Sequence, residues 1–246
     1  MPGYGRAGGP RRTSTVWHAG NGAEGGPSRG VATPGQVPTL GCMTFSWGNS
    51  RTAFTDAAGW FVRTVALVGD RWDRPGLGEW DVRALVGHTS RALATVETYL
   101  ARPAAAADVA SAPDYFRATR AAAADPAVTA RGRDAGTALG SDPAAAVAQL
   151  AARVLALVAT HDGTALVTTI AGGMRLADYL PTRTFELAVH TADLATALGV
   201  PLDVPATAAA QALNILADLA LTGGLAGPLL LAATGRPGLP AGFSVL

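Results

Sequence analysis

The sequence predicts an all-α fold, an antiparallel four-helix bundle with extra C-terminal helices and a disordered N-terminal tail. Three observations carry that prediction. Four segments, at about 47–69, 82–101, 143–160 and 175–198, repeat apolar residues at helical spacing. Capping and stop signals sit at their ends, at Asp81, at Asp142-Pro143 and at Gly199 before Pro201. A single short stretch, 164–170, reads as extended.

Residues 1–42 are rich in Gly, Pro, Ser and Arg and lack any apolar period, so they are expected to be disordered and outside the fold. Met43 opens a segment that reads like a protein start, and 43–246 is taken as the bundle domain. The first helix carries Phe54, Trp60, Phe61, Val65 and Val68 as its apolar stripe. A loop with Pro75, Gly76 and Gly78 follows. Asp81 suits the N-cap of the second helix, which turns Val82, Leu85, Val86, Leu93 and Val96 inward, with His88 on the border of that stripe. Residues 102–140, rich in Ala, Pro, Gly and Asp, predict short helical pieces and loops.

The third helix opens at Asp142-Pro143 and points Val147, Leu150, Val154, Leu157 and Val158 inward. The extended stretch is expected to end at Gly172-Gly173. The fourth helix stops at Gly199. Further helices are expected over 205–221 and 225–234, before an irregular tail. Residues 219–235 carry no charge, but Gly223-Gly224 and Gly227-Pro228 interrupt them. They read as a buried helix pair rather than a membrane span.

Composition excludes several function classes. A net charge of +1 argues against nucleic acid or an anionic membrane surface as an obligate partner. The lone Cys42 leaves no disulfide framework and no cysteine-based zinc site, and points to a reducing, cytoplasmic setting. The basic residues are all arginine, and with abundant alanine this is the codon signature of a GC-rich, actinobacterial genome. No phosphate-binding loop, nucleophile elbow or H-E-x-x-H motif is present.

The chemistry-bearing residues are His88, Glu186 and His190. Glu186 and His190 are four apart, so they project from one helix face. His88 comes from another helix, far away in sequence. Two imidazoles and a carboxylate from two helices would hold a divalent metal and leave a coordination position open, which suits catalysis. Glu186 alternatively pairs with Arg183 three residues earlier, but its apolar neighbours Phe185, Leu187 and Val189 favour a buried carboxylate that needs a stronger partner. Asp193 lies three residues past His190 and either accepts a proton from that imidazole or sits on the surface. Arg183 either orients Glu186 or binds a substrate carboxylate. His161 reads as a helix C-terminal turn residue. Trp72 and Trp80 read as packing residues.

At EWDVRALVGH and RTFELAVHTADL the chain resembles the mycothiol-dependent maleylpyruvate isomerase family, within the wider DinB/YfiT-like group of bundle metalloproteins. The matching positions are Trp80, Val82-Arg83, Leu85-Val86 and His88, then Arg183, Glu186, His190, Asp193 and Leu194. The resemblance runs from about residue 50 onward. It implies that His88, Glu186 and His190 hold a divalent metal, zinc in most of the family. It implies mycothiol as cosubstrate, bound to the metal as thiolate and added to a substrate double bond. Rotation about the resulting single bond and loss of the thiol complete a cis–trans isomerisation. The isomerase proper carries a C-terminal α/β domain after its bundle, whereas residues 199–246 here read as mostly helical.

If the site uses a thiolate nucleophile, as the resemblance implies, the predicted folded body has no cysteine to supply it, and a small-molecule thiol such as mycothiol would be the cosubstrate. The expected function is therefore thiol-dependent isomerisation, or thiol transfer to a small electrophilic substrate. Metal-assisted hydrolysis and a non-catalytic metal-binding or regulatory bundle stay open beside it. Oligomeric state is not read from the sequence.

Overall fold

The computed structural model describes residues 45–123, 125–236 and 239–246. The expected tail at 1–42 and the start at Met43 lie outside them. The fold is mostly helical. Helix α1 (Trp47–Ala66) starts at Ser46, whose Oγ accepts a hydrogen bond from the Asn49 amide at 3.2 Å. Helix α2 (Val82–Leu100) starts at Asp81, whose carboxylate accepts from the Ala84 amide at 2.7 Å. Helix α3 is Ala112–Ala123 and α4 is Ala127–Ala138. Helix α5 (Pro143–Ala159) is capped by Asp142 with proline in its first turn, where the missing N–H costs nothing. Helix α6 (Leu176–Leu198) ends at Gly199, whose φ of 66° is left-handed. Helices α7 (Ala206–Thr222) and α8 (Ala226–Ala233) follow.

Helices α1 and α2 each pack on both α5 and α6. Helix α6 also touches α3 and α7, which makes it the most embedded element. The inward faces match the expected stripes: Phe54, Phe61, Val82, Leu85, Val86, Leu93 and Val96 are fully buried. Among the inward residues expected on α5, Leu150 and Leu157 are only half-buried, because α5 lies at the edge of the core. Helix α4 packs flat against α2. A Cβ on Gly87 would lie 2.1 Å from the Gly136 backbone nitrogen, so both positions need glycine for this approach. In the contact of α1 with α7, Gln211 Nε2 donates to the buried Ser50 Oγ at 3.1 Å.

Four expectations need correction. The loop before α2 folds into a small antiparallel hairpin, β1 (Pro75–Leu77) with β2 (Trp80–Asp81). It buries Trp80 just ahead of the α2 N-cap. The extended stretch does not end at Gly172-Gly173. Those residues open β4 (Gly172–Arg175), which pairs antiparallel with β3 (Leu166–Thr169). Residues 102–140 form two twelve-residue helices rather than short pieces, since the abundant alanine sustains a helix despite the nearby turn residues. Finally, 219–235 is not a buried helix pair: α8 has no buried residue, and Leu230 is 65% exposed. No single helix among the described residues is long and apolar enough to cross a membrane.

Candidate metal centre

On α6, Arg183, Glu186, His190 and Asp193 are spaced three, four and three apart, which aligns them in one stripe of ionisable residues along the helix. Helix α2 lies beside that stripe and contributes His88. The ligand atoms of His88, Glu186 and His190 all lie within 4.8 Å of one another. The two imidazole rings meet edge to face, with centroids 4.8 Å apart.

Each side chain has its own restraint. His190 Nε2 lies 3.3 Å from Glu186 Oε2. On its other side, Nδ1 lies 3.0 Å from Asp193 Oδ2. A carboxylate only accepts, and both ring nitrogens face one, so without a metal His190 donates from Nδ1 to Asp193 and from Nε2 to Glu186. Asp193 holds the ring on its Nδ1 side. His88 stacks at 4.4 Å against the Trp80 indole, whose Nε1 donates to the Thr129 carbonyl at 3.0 Å. Nδ1 of His88 is buried and has no hydrogen-bond partner.

The electrostatics sort these groups. Burial, helped by the charge on His190, pushes the His88 pKa down to about 4, so this imidazole is neutral at pH 7. Burial opposes ionisation of Glu186, but the hydrogen bond from His190 and the Arg183 charge outweigh it and hold the carboxyl well below its ordinary range. Burial likewise opposes protonation of His190. The hydrogen bonds to Asp193 and Glu186 prevail there and raise its pKa to about 9.

These residues fit a divalent cation. The donor set is two imidazoles and an ionised carboxylate, with a second carboxylate behind one imidazole. An orphaned buried ring nitrogen on His88 is costly unless the ring is engaged by a ligand. Ligand atoms around a tetrahedral zinc lie about 3.4 Å apart. The His190–Glu186 separation of 3.3 Å already has that value.

Arg183 stands one turn before Glu186. It is 8% exposed. Its Nε donates to Thr182 Oγ1 at 2.9 Å, and its guanidinium carbon lies 5.0 Å from the Tyr179 ring centroid and 5.3 Å from that of Tyr115. The alternative pairing with Glu186 is not formed: among the described residues no carboxylate makes an ion pair with Arg183. His161 caps the end of α5, its ring Nδ1 3.0 Å from the Leu157 carbonyl and its own carbonyl accepting from Trp47 Nε1. Trp72 lies under the Arg83 guanidinium, away from the cluster.

Sequence reasoning missed two parts of this site. Trp80 stacks on His88 itself and is more than general packing. The tyrosines around Arg183 also went unread. Tyr179 was legible, four residues before Arg183 on the same helix. Tyr115 was passed over, although Ala112, Tyr115, Phe116 and Thr119 recur at helical spacing along α3. A hollow of about 300 Å³ between the first hairpin and α4 shares only Trp80 with the surroundings of His88.

Residues 53–195, more than half of the chain, match the family model described as the mycothiol maleylpyruvate isomerase N-terminal domain. The match contains His88, Arg183, Glu186, His190 and Asp193. No curated protein matches the chain, and no solved structure does.

Proposed function

The chain belongs to the mycothiol maleylpyruvate isomerase N-terminal domain family, and from that membership we propose that it is a metal-dependent, thiol-dependent enzyme. Its substrate is a small electrophile and its cosubstrate is mycothiol, in an isomerisation or a thiol transfer. His88, Glu186 and His190 hold the metal, and two imidazoles with one carboxylate suit zinc. The observation that carries this is the convergence of three metal-type ligand atoms within 4.8 Å, one of them on a ring with an unpartnered buried nitrogen. The ring of contacts among α1, α2, α5 and α6 supports reading the fold as a DinB/YfiT-like bundle.

A divalent ion bound there supplies Lewis acidity, lowering the pKa of a coordinated thiol so that thiolate is populated at neutral pH. The protein's own residues do the rest. His88 offers a neutral imidazole because burial keeps its proton off. Asp193 holds the proton on His190 Nδ1, so a metal would have to displace only the proton that Nε2 shares with Glu186. Glu186 contributes the negative charge that makes the site selective for a cation. Trp80 covers one face of His88 and excludes water from it. The only cysteine, Cys42, lies upstream of the matched residues, which supports a thiol that arrives from solution. The scarcity of cysteine supports a cytoplasmic setting.

Elemental analysis of the purified protein, then turnover of a small unsaturated acid across a mycothiol titration, tests this. One divalent ion per chain and a rate that rises with thiol are expected. Turnover indifferent to thiol would instead assign the site to metal-assisted hydrolysis. A metal-loaded protein that turns over no electrophile would reduce it to a binding module.

A further inference from the structure

We propose that the outer face of α7, with the adjoining α8, is a docking surface for a second copy of this chain. The inference is independent of the metal-site reading, since neither helix carries a residue of that cluster.

A helix that is apolar on every side belongs in an interior. Helix α7 has that character, yet only one side of it is covered. Its inner face, with Ala208, Ile215 and Leu219, is buried, and α7 packs on α1 and α6. Its outer face carries Ala210, Leu213, Ala217 and Leu221, all exposed. Steps of three, four and four residues align them on one side of the helix. Leu213 is 63% exposed and Leu221 51%. Helix α8 packs on α7 and adds the exposed Leu230 and Leu231. Single leucines at a surface are ordinary, but an aligned apolar row marks a contact face.

The polar groups of these helices are already paired within the chain. Asp218 is the only charged residue between Ala206 and Gly235, and the Arg117 guanidinium of α3 meets it at 3.2 Å. The Thr207 hydroxyl donates to Asp56 at 2.6 Å, and that of Thr222 to the Asp218 carbonyl at 2.9 Å. The Asn214 amide donates to the Ala210 carbonyl at 2.8 Å. Covering the apolar row therefore leaves no charge unpaired and breaks none of these bonds. The same lack of charge selects the partner. A charged surface laid on the row would lose its water and gain no counter-charge. A lipid surface fits poorly, because interfacial helices border their apolar face with Lys or Arg, and none lies between Ala206 and Gly235. A second copy offers the same uncharged face. A two-fold axis sets that face against itself, and no like charges meet across it.

Size sets the strength. Helix α7 has 17 residues and α8 has 8, so they run for about 25 and about 12 Å. At a helix width of about 10 Å, the two present roughly 370 Å² on each copy. Two such faces fall short of the roughly 1,200–2,000 Å² of a permanent complex, and suit a reversible dimer.

Sedimentation velocity on the full chain, from about 1 to about 200 μM, tests this. A monomer–dimer equilibrium is expected, with the dimer fraction rising across that range. Leu213→Asp and Leu230→Asp change side chains that are exposed in the monomer. Each should raise the dissociation constant about tenfold or more and leave the Tm of dilute protein unchanged. Leu213→Gln should raise it less. A chain that stays monomeric at the highest concentration would overturn the proposal, and that measurement needs no variant to fold. If the monomer instead cosediments with phosphatidylcholine vesicles, the face belongs to a membrane and the proposal fails equally. A dimer whose dissociation constant is unchanged in both Asp variants would also overturn it, because the contact would then lie elsewhere.

Discussion

Side chains of the cluster act as ligands only if each is held in the right charge state, and the structure supplies a separate device for each. His88 is stripped of its proton by burial. Glu186 is kept ionised by His190 and Arg183. His190 is oriented by Asp193. Replacing His88 or His190 by Ala removes one of three ligands, and elemental analysis should find the variant essentially free of zinc. Asp193→Asn keeps the size of the side chain but removes its charge. Competition against a chromogenic chelator should show zinc affinity falling about 10–100-fold. Unchanged affinity would return Asp193 to the role of a surface acid. The candidate ligands were legible in the sequence because spacing on a helix translates directly into direction. The unpartnered state of Arg183 was not. The sequence left open whether it orients Glu186 or binds a carboxylate, and only the fold shows the guanidinium set against Tyr115 and Tyr179.

Helices are placed by features that periodicity reports unevenly. The four long helices announced themselves by their stripes and caps, and Asp81, Asp142 and Gly199 act where the sequence placed them. Helices α3 and α4 did not: the turn signals of their Ala-, Pro-, Gly- and Asp-rich stretch masked the Tyr115–Phe116–Thr119 face of α3, and the buried residues of α4 are glycines, Gly132 and Gly136. The two hairpins escaped because their strands are two to four residues long, too short for an alternation to show. Yet α4 matters to the site: its backbone meets α2 at Gly87, next to His88. Gly87→Ala puts a methyl group 2.1 Å from the Gly136 nitrogen and must push the helices apart. The expected cost is about 1–3 kcal/mol, read as a fall in Tm, with a parallel loss of zinc affinity as His88 moves. Gly48→Ala is the matched control, since its Cβ would meet nothing nearer than Ser46 Oγ at 3.9 Å. Its Tm should not fall.

At the scale of the molecule, the metal would tie α2 to α6 and so add its binding free energy to folding. The pH dependence separates this from the effect of the protein's own charges. Without metal, His190 is raised from 6.5 to about 9. Its contribution is fully present below pH 6.5 and is lost as pH climbs through about 9. His88 is lowered from 6.5 to about 4. The folded state binds fewer protons there than the unfolded chain, so stability is lost as pH falls from 6.5 towards 4. Glu186, also lowered, keeps its contribution above the ordinary carboxyl pKa and loses it only in stronger acid. Within this cluster the metal-free protein is thus most stable near pH 6.5 and weakens on either side. Zinc reverses the alkaline limb, because it takes the place of the proton on His190 and competes better as protons become scarce. The shift in Tm on adding zinc should therefore be larger at pH 8.5 than at pH 6.5. At a concentration of a hundred times Kd it corresponds to about 2.7 kcal/mol. The shift should be absent in His190→Ala at both pH values. A zinc shift of equal size at the two pH values would mean that the ion binds elsewhere than at His190.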